Sequence, residues 1–253
     1  MMKFKSLPFL AGAAAVLLLS SAAHANLVLV GGTPAASFTD LGAQGFGNAP
    51  RLLTEQAQGN NTFETGFATP VNVANGPDAI SGADKTTTPT LSALGWNNGS
   101  QVGIGFNSNQ TGGTGITLDT LVLKIFSSTT TSVGSFSLAA PITFSAADLA
   151  LQQGNGNAVF NFGLTTVEQA QFNTIRAMAG SSGFFAGVAA SLGCSPCATG
   201  VLPANDGADS FIGFVQVPAP MIGHGLFVLL AVGGVLFGGK LVESLKKHNL
   251  HAA

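Results

Sequence analysis

The chain contains no tyrosine, one tryptophan, two cysteines and only 8% charged residues. Histidine is also scarce, because the four histidines are His24, His224, His248 and His251, and the stretch 26–217 contains none. A Ser-His-Asp triad, a Cys-His pair and a histidine-ligated zinc site therefore cannot be assembled within that stretch. This absence excludes several large classes of hydrolase and metalloenzyme for it.

Positive charge is the second shortage. The stretch 26–217 has ten acidic and four basic residues, which gives it a net charge of −6. Proteins that bind phosphate backbones present clusters of lysine and arginine, so no nucleic-acid partner is expected. Nothing basic or amphipathic in the stretch suggests that it lies on anionic lipid.

The amino end has the features of an export signal. Two lysines precede an apolar run at 7–19, and Ala23 and Ala25 supply the small residues that a signal peptidase accepts. Residues 1–25 are therefore predicted to be a signal peptide, and the mature chain is expected to begin at Asn26. The 192 residues from 26 to 217 suit one exported domain.

The carboxyl end has the features of a membrane anchor. Residues 221–239 form a 19-residue run without a charge, which as a helix approaches the ~30 Å thickness of the hydrocarbon core. The following tail, 240–253, is basic, and basic residues favour the cytoplasmic side. We therefore predict a transmembrane helix at 221–239 in the inner membrane, with its tail held in the cytoplasm by Lys240, Lys246 and Lys247.

The exported stretch reads as mainly β structure. The chain has 34 glycines, 11 prolines and 19 phenylalanines, and its short apolar runs are repeatedly broken by turn residues. A slip in the alternation at Asp119-Thr120 predicts a β-bulge in the longest strand. Many short strands with such turns predict an antiparallel, jelly-roll-like β-sandwich over 26–217. The predicted strands are 26–30, 62–67, 101–106, 116–126, 133–138, 158–162 and 211–217.

One segment, 145–192, is predicted to be a helical excursion from the sandwich. Ser145 has the character of an N-cap, and Thr165 with Glu168 resembles a capping box that opens an amphipathic helix. The run 184–192 is expected to continue as a third helical piece.

Cys194 and Cys197 have the spacing of a redox-active pair. A catalytic pair of this kind sits at the start of a helix after a strand, whereas this one follows a predicted helix in a coil. In an exported protein the better interpretation is a structural disulfide.

The acidic residues offer the remaining candidate chemistry. They are scattered through loop-like segments, and we interpret them as solvated surface carboxylates. Asp206 and Asp209 cluster near a glycine as calcium ligands do, but they lack EF-hand spacing, so a polar turn is preferred over a metal site. Trp96 could stack on a sugar, although a partly buried role in the core or under a loop is favoured because no second tryptophan or tyrosine extends the platform. No cofactor is predicted.

The segment Val217-Pro218-Ala219-Pro220, followed by an apolar glycine-rich run and a basic tail, resembles the PEP-CTERM class of sorting signals in its Val-Pro-x-Pro form. Such signals occur on exported proteins of Gram-negative bacteria. The resemblance covers the motif residue Val217 and the segment 218–253 that follows it. It implies retention in the inner membrane, cleavage by an exosortase-like protease and delivery to the surface or its polysaccharide matrix. The exported part, with Asp40-Leu-Gly-Ala-Gln-Gly-Phe-Gly, is similar to uncharacterised ectodomains that precede these signals.

Two classes of function follow from these observations. The first is a non-enzymatic envelope, surface or extracellular-matrix protein whose partners are the inner membrane, signal peptidase and envelope polysaccharide. The second is a secreted glycan hydrolase, because glycoside hydrolysis needs only a pair of carboxylates at a suitable separation. The first is preferred, since no motif links any two acids.

Overall fold

The computed structural model describes residues 26–40, 49–59, 61–82, 84–110, 114–151, 158–205 and 207–216. These residues form eleven strands in one sheet, which confirms the expectation of a mainly β protein. The strands are β1 Asn26–Leu29, β2 Phe38–Asp40, β3 Arg51–Glu55, β4 Phe63–Phe67, β5 Val102–Asn107, β6 Ile116–Phe126, β7 Ser132–Leu138, β8 Ile142–Phe144, β9 Ala158–Leu164, β10 Phe185–Gly193 and β11 Asp209–Val215.

All seven predicted strands are present, and β2, β3, β8 and β10 are additional. The predicted bulge is also confirmed. Ser191 of β10 pairs with Thr120 of β6, and Leu192 then pairs with Leu118, so Asp119 is the extra residue. The bulge keeps leucine and isoleucine side chains facing the core on both sides of the slip.

The expectation of a helical piece at 184–192 is wrong. Residues Phe185–Gly193 form β10, which pairs with β6 on one side and β4 on the other. The run is rich in alanine and glycine, and alanine favours helices in isolation. Here the backbone of the run is hydrogen-bonded to a strand on each side. Its small side chains are buried, which suits a strand that is packed on both faces. Pairing in the sheet therefore outweighs the local preference for helix.

Helix is confined to short elements among the described residues: α1 Pro34–Ser37, α2 Ala146–Leu149 and α3 Thr166–Arg176, with 3₁₀ turns at Gly99–Gln101 and Ser181–Gly183. The capping box forms at α2, where the Ser145 hydroxyl accepts the Asp148 N–H and Asp148 accepts the Ser145 N–H. At α3 the Thr165 side chain makes no cap bond, so the box predicted there does not form.

The strands follow the order β3-β11-β5-β9-β1-β7-β6-β10-β4, with β2 paired to β9 and β8 to β6. The β1–β7 pairing is parallel and the other described pairings are antiparallel. The sheet is nearly closed, because one segment, residues 75–80, bonds to both end strands. We call it the seam segment. Ile80 donates to Thr54 of β3 at 2.8 Å, and Phe67 of β4 donates to Asn75 at 2.9 Å.

Phenylalanine rings fill the interior. Phe106 lies at the centre, with its ring centroid 5.1 Å from that of Phe211 and 5.4 Å from that of Phe144. Phe144 in turn packs on Phe160 at 4.3 Å. These rings come from β5, β8, β9 and β11, so strands distant in sequence share one apolar core.

No helix among the described residues is long and apolar enough to cross a membrane. The predicted anchor at 221–239 lies outside those residues. The same holds for the signal peptide 1–25, the sorting motif Val217-Pro218-Ala219-Pro220, the lysines of the tail and Asp206.

Gly187 lies where β10 passes close to the backbone of Ala68, and its replacement tests the strand assignment. A Cβ built there would lie 2.4 Å from the carbonyl oxygen of Ala68. We expect Gly187→Ala to lower the unfolding free energy by about 1–3 kcal/mol or more, because the backbone must move. Gly183→Ala is the matched control: no atom lies within 4 Å of its Cβ, so urea unfolding should be nearly unchanged. Equal effects of the two substitutions would contradict the placement of β10.

Candidate functional site

Four acidic side chains meet at the seam of the sheet. Glu55 is the last residue of β3, Glu64 belongs to β4, Asp78 lies in the seam segment and Asp209 begins β11. Glu55 and Asp209 are register partners across β3 and β11. Glu55, Glu64 and Asp209 are 0% exposed and Asp78 is 7% exposed. We call these four residues the carboxyl cluster.

The interpretation of these acids as solvated surface carboxylates is therefore wrong. Asp209, which was expected in a polar turn, is fully buried as the first residue of β11. The β4 sequence Phe-Glu-Thr-Gly-Phe explains why the pattern misled. Alternation places its phenylalanines toward the core, yet Glu64 and Gly66 are buried and Phe67 is 44% exposed.

Backbone N–H groups hold three of the four carboxyls. Asp209 Oδ1 accepts from the Asn109 N–H at 2.6 Å, and its Oδ2 accepts from Gln110 Nε2 at 3.1 Å. Glu64 Oε1 accepts from the Ala57 N–H at 3.0 Å, and Asp78 Oδ2 accepts from the Thr65 N–H at 2.9 Å. Each bond joins two segments that are separate in the chain.

Glu55 is the exception in the carboxyl cluster. Neither of its buried carboxyl oxygens has a hydrogen-bond partner among the described residues. A Cβ on Gly66 would lie 2.8 Å from Glu55 Oε1, so only a glycine leaves room for this side chain beneath β4. An ionised carboxylate without a partner is costly in such a place, and the neutral acid is favoured.

Burial raises the pKa of all three fully buried acids. It raises the pKa of Glu55 well above its usual value, and the nearby Glu64, Asp209 and Asp78 raise it further. Burial and Asp209 raise the pKa of Glu64 to about 8. Burial raises the pKa of Asp209 to about 7 against the lowering effect of the Asn109 N–H. Glu64 and Asp209 interact strongly, so the two carboxyls titrate as a pair.

No cation of the described part of the chain forms an ion pair with the cluster. The one basic residue of β3, Arg51, donates to the backbone carbonyl of Asp84. Among the described residues no group of three or more His, Cys, Asp or Glu side chains is arranged to hold a metal ion. Burial favours the protonated acids, and in this conformation it gives a substrate no access to the oxygens of Glu55, Glu64 and Asp209.

Cys194 and Cys197 lie at disulfide distance, with their Cα atoms 4.9 Å apart. The loop is also held by its backbone, since the Cys194 N–H donates to the Thr62 carbonyl at 2.9 Å and the Thr62 hydroxyl donates to the Cys194 carbonyl at 2.6 Å. The pair follows β10 and starts no helix, which suits a structural link.

Trp96 is fully buried and forms no sugar platform. Its Nε1 donates to the carbonyl oxygen of Phe214 at 2.8 Å, and its ring meets the ring of Phe172 edge-on at 6.5 Å. The favoured packing role is thus confirmed.

Comparison of the chain with protein-family models, with curated proteins and with solved structures found no match.

The carboxyl cluster makes stability depend on pH in a predictable direction. A raised folded-state pKa means that the folded protein holds protons which the unfolded chain has lost. The stabilisation is complete below about pH 4 and disappears as the pH rises through about 7 to 8. The urea midpoint should therefore fall from pH 5 to pH 9.

Glu64→Gln should reduce that fall, because the amide keeps the shape and the Ala57 bond but cannot ionise. At pH 9 we expect it to be more stable than the natural protein, by on the order of 1–3 kcal/mol. Glu168→Gln is the matched control, since Glu168 is 3% exposed on α3, away from the carboxyl cluster. A parallel pH slope for Glu64→Gln and the natural protein would refute this assignment.

Proposed function

We propose that residues 26–217 are the ectodomain of a non-enzymatic envelope, surface or extracellular-matrix protein that acts by contact. The observation that carries this proposal is the burial of the carboxyl cluster. Its four acids are buried together at the seam, and three of them have no exposed surface. An acid or base catalyst must come within hydrogen-bond reach of its substrate, and these cannot do so in this conformation.

The proposal extends to the detailed fold. We infer that the nearly closed sheet is flattened into an antiparallel, jelly-roll-like sandwich. The close contacts of Phe106 with Phe144 and Phe211 support this, because rings from separate strands fill the interior without a lumen. An experimental structure with a round, evenly spaced barrel would contradict it.

The location rests on the two ends of the chain. We propose that signal peptidase removes 1–25 and that 221–239 retains the precursor in the inner membrane, with Lys240, Lys246 and Lys247 on the cytoplasmic side. Cleavage near Val217-Pro218-Ala219-Pro220 by an exosortase-like protease then releases the ectodomain toward the surface polysaccharide.

The alternative function is a secreted glycan hydrolase. It is favoured by one observation: Glu64 and Asp209 are two buried, interacting carboxyls, and burial raises the pKa of both. Such an enzyme would have to open the seam before a sugar could reach the pair.

Purified protein presented with envelope polysaccharides separates these two functions. Contact binding predicts retention on the polysaccharide without new reducing ends, and retention that Glu64→Gln and Asp209→Asn leave unchanged. Hydrolysis predicts product that disappears in both variants and persists in Glu168→Gln. Product formation of that kind would overturn the non-enzymatic proposal.

The anchor is tested by deleting residues 221–253. The truncated protein should leave the membrane fraction and appear as a soluble periplasmic protein, because the 19-residue apolar run is gone. Changing Pro218 and Pro220 to Ala is the matched variant, which should alter processing while leaving membrane insertion intact. If the truncated chain stays with the membrane after an alkaline wash, the anchor lies elsewhere.

A further inference from the structure

Closure of the sheet depends on six residues. The Ile80 N–H of the seam segment donates to the carbonyl oxygen of Thr54 in β3. The Gln56 N–H, just after β3, donates to the carbonyl oxygen of Asp78 in the seam segment. On its other side it exchanges two bonds between Asn75 and Phe67 of β4. Strands β3 and β4 are the two ends of the strand order, and the seam segment is what bridges them.

The carboxyl cluster spans this closure. Glu64 of β4 accepts from Ala57, which follows β3, and Asp78 of the seam segment accepts from Thr65 of β4. Glu55 lies between them with both oxygens buried and unpartnered, and its Oε1 sits close to Gly66 of β4. The strand edges that the seam segment joins are therefore lined with acids on both sides.

The buried charged groups at the cluster are its own members, and Asp84 and Lys85, whose carbonyls accept from β3 side chains, are exposed. Strand β4, the seam segment and β11 each contribute one ionisable residue, and β3 contributes Glu55 and Arg51, which bonds to the Asp84 carbonyl. The neighbouring strands β5 and β10 contain no ionisable residue. Loop residues Asn109 and Gln110 are polar and uncharged. Ionising the cluster would thus place like charges together with no cation to balance them.

We propose that the carboxyl cluster is a proton-controlled latch: the seam segment joins β3 to β4 while the cluster is protonated and releases them, with the rest of the sheet intact, once the cluster ionises. This inference is independent of the proposed function. The pKa values of Glu64 and Asp209 are raised to about 8 and about 7, so these carboxyls would lose their protons near neutral pH.

The opening is local because the rest of the sheet is held differently. Strands β6 and β10 pair over eight residue pairs, and the ionisable residues of β6, Asp119 and Lys124, are half-buried and exposed. Raising the pH therefore adds little charge to the interior of that part. Release of the seam segment would expose backbone donors and acceptors on the edges of β3 and β4, where another strand can pair.

Hydrogen exchange of the full chain, read by mass spectrometry or NMR at pH 5.5 and pH 9, tests the latch. Protection factors corrected for the intrinsic rate at each pH should fall at least about ten-fold at Ala57, Thr65 and Ile80, and change little in β6 and β10. The double variant Glu64→Gln, Asp209→Asn should keep the seam protected at pH 9. Glu64→Gln alone is the second variant if the double variant does not fold, and Glu168→Gln should behave as the natural protein.

Three outcomes overturn the proposal. Protection at the seam that is independent of pH shows that no latch exists. A loss of protection that is equal in β6, β10 and the seam shows global destabilisation instead. If calcium chloride at pH 8 restores seam protection as fully as acid does, and the double variant abolishes that effect, the cluster is a cation site.

Discussion

The rest of the structure depends on the burial of four carboxyl groups at the place where the sheet closes. The end strands β3 and β4 meet through the seam segment, and Glu55, Glu64, Asp78 and Asp209 lie at that junction. Two like charges about 4 Å apart repel by roughly 4 kcal/mol at an effective dielectric constant of 20. Neutral acids avoid this repulsion, so closure and protonation are coupled.

The acids also accept hydrogen bonds from backbone N–H groups that the pairing of two strands would otherwise satisfy. Asn109 and Ala57 lie in loops and donate their N–H groups to Asp209 and Glu64, and the bond from Ala57 is buried. A buried N–H without an acceptor costs about 1–3 kcal/mol. The carboxyl cluster therefore has a positive structural role besides its electrostatic cost, since it satisfies loop backbone that no strand reaches.

Residues that the sequence offers for sugar stacking or redox chemistry have packing roles in the structure. Trp96 is enclosed by Phe172 and bonded to Phe214, so the one residue suited to sugar stacking is part of the core. The short Cys194–Cys197 loop is held by Thr62 as well as by its cysteines. The tryptophan and the cysteine pair, two candidates for chemistry in the sequence, thus both have structural partners.

The sequence by itself determined the β class, the positions of seven strands and the bulge at Asp119. Alternation and turn residues are local signals, and in these segments the local preference agrees with the final pairing. It also excluded histidine chemistry from 26–217 by count alone. Only the tertiary structure decided that 185–193 is a strand, because pairing with β6 and β4 outweighs the helical preference of its alanines.

The candidate site was likewise decided by tertiary structure. Glu55, Glu64 and Asp209 are far apart in sequence, and in β4 the alternation of Phe63, Glu64 and Phe67 predicts the opposite face inward. The local sequence does not show that a polar residue of a strand faces inward when the residues that it meets there belong to three other segments. The face of β4 that turns inward follows from its register with β10, a pairing that exists only after distant segments have come together.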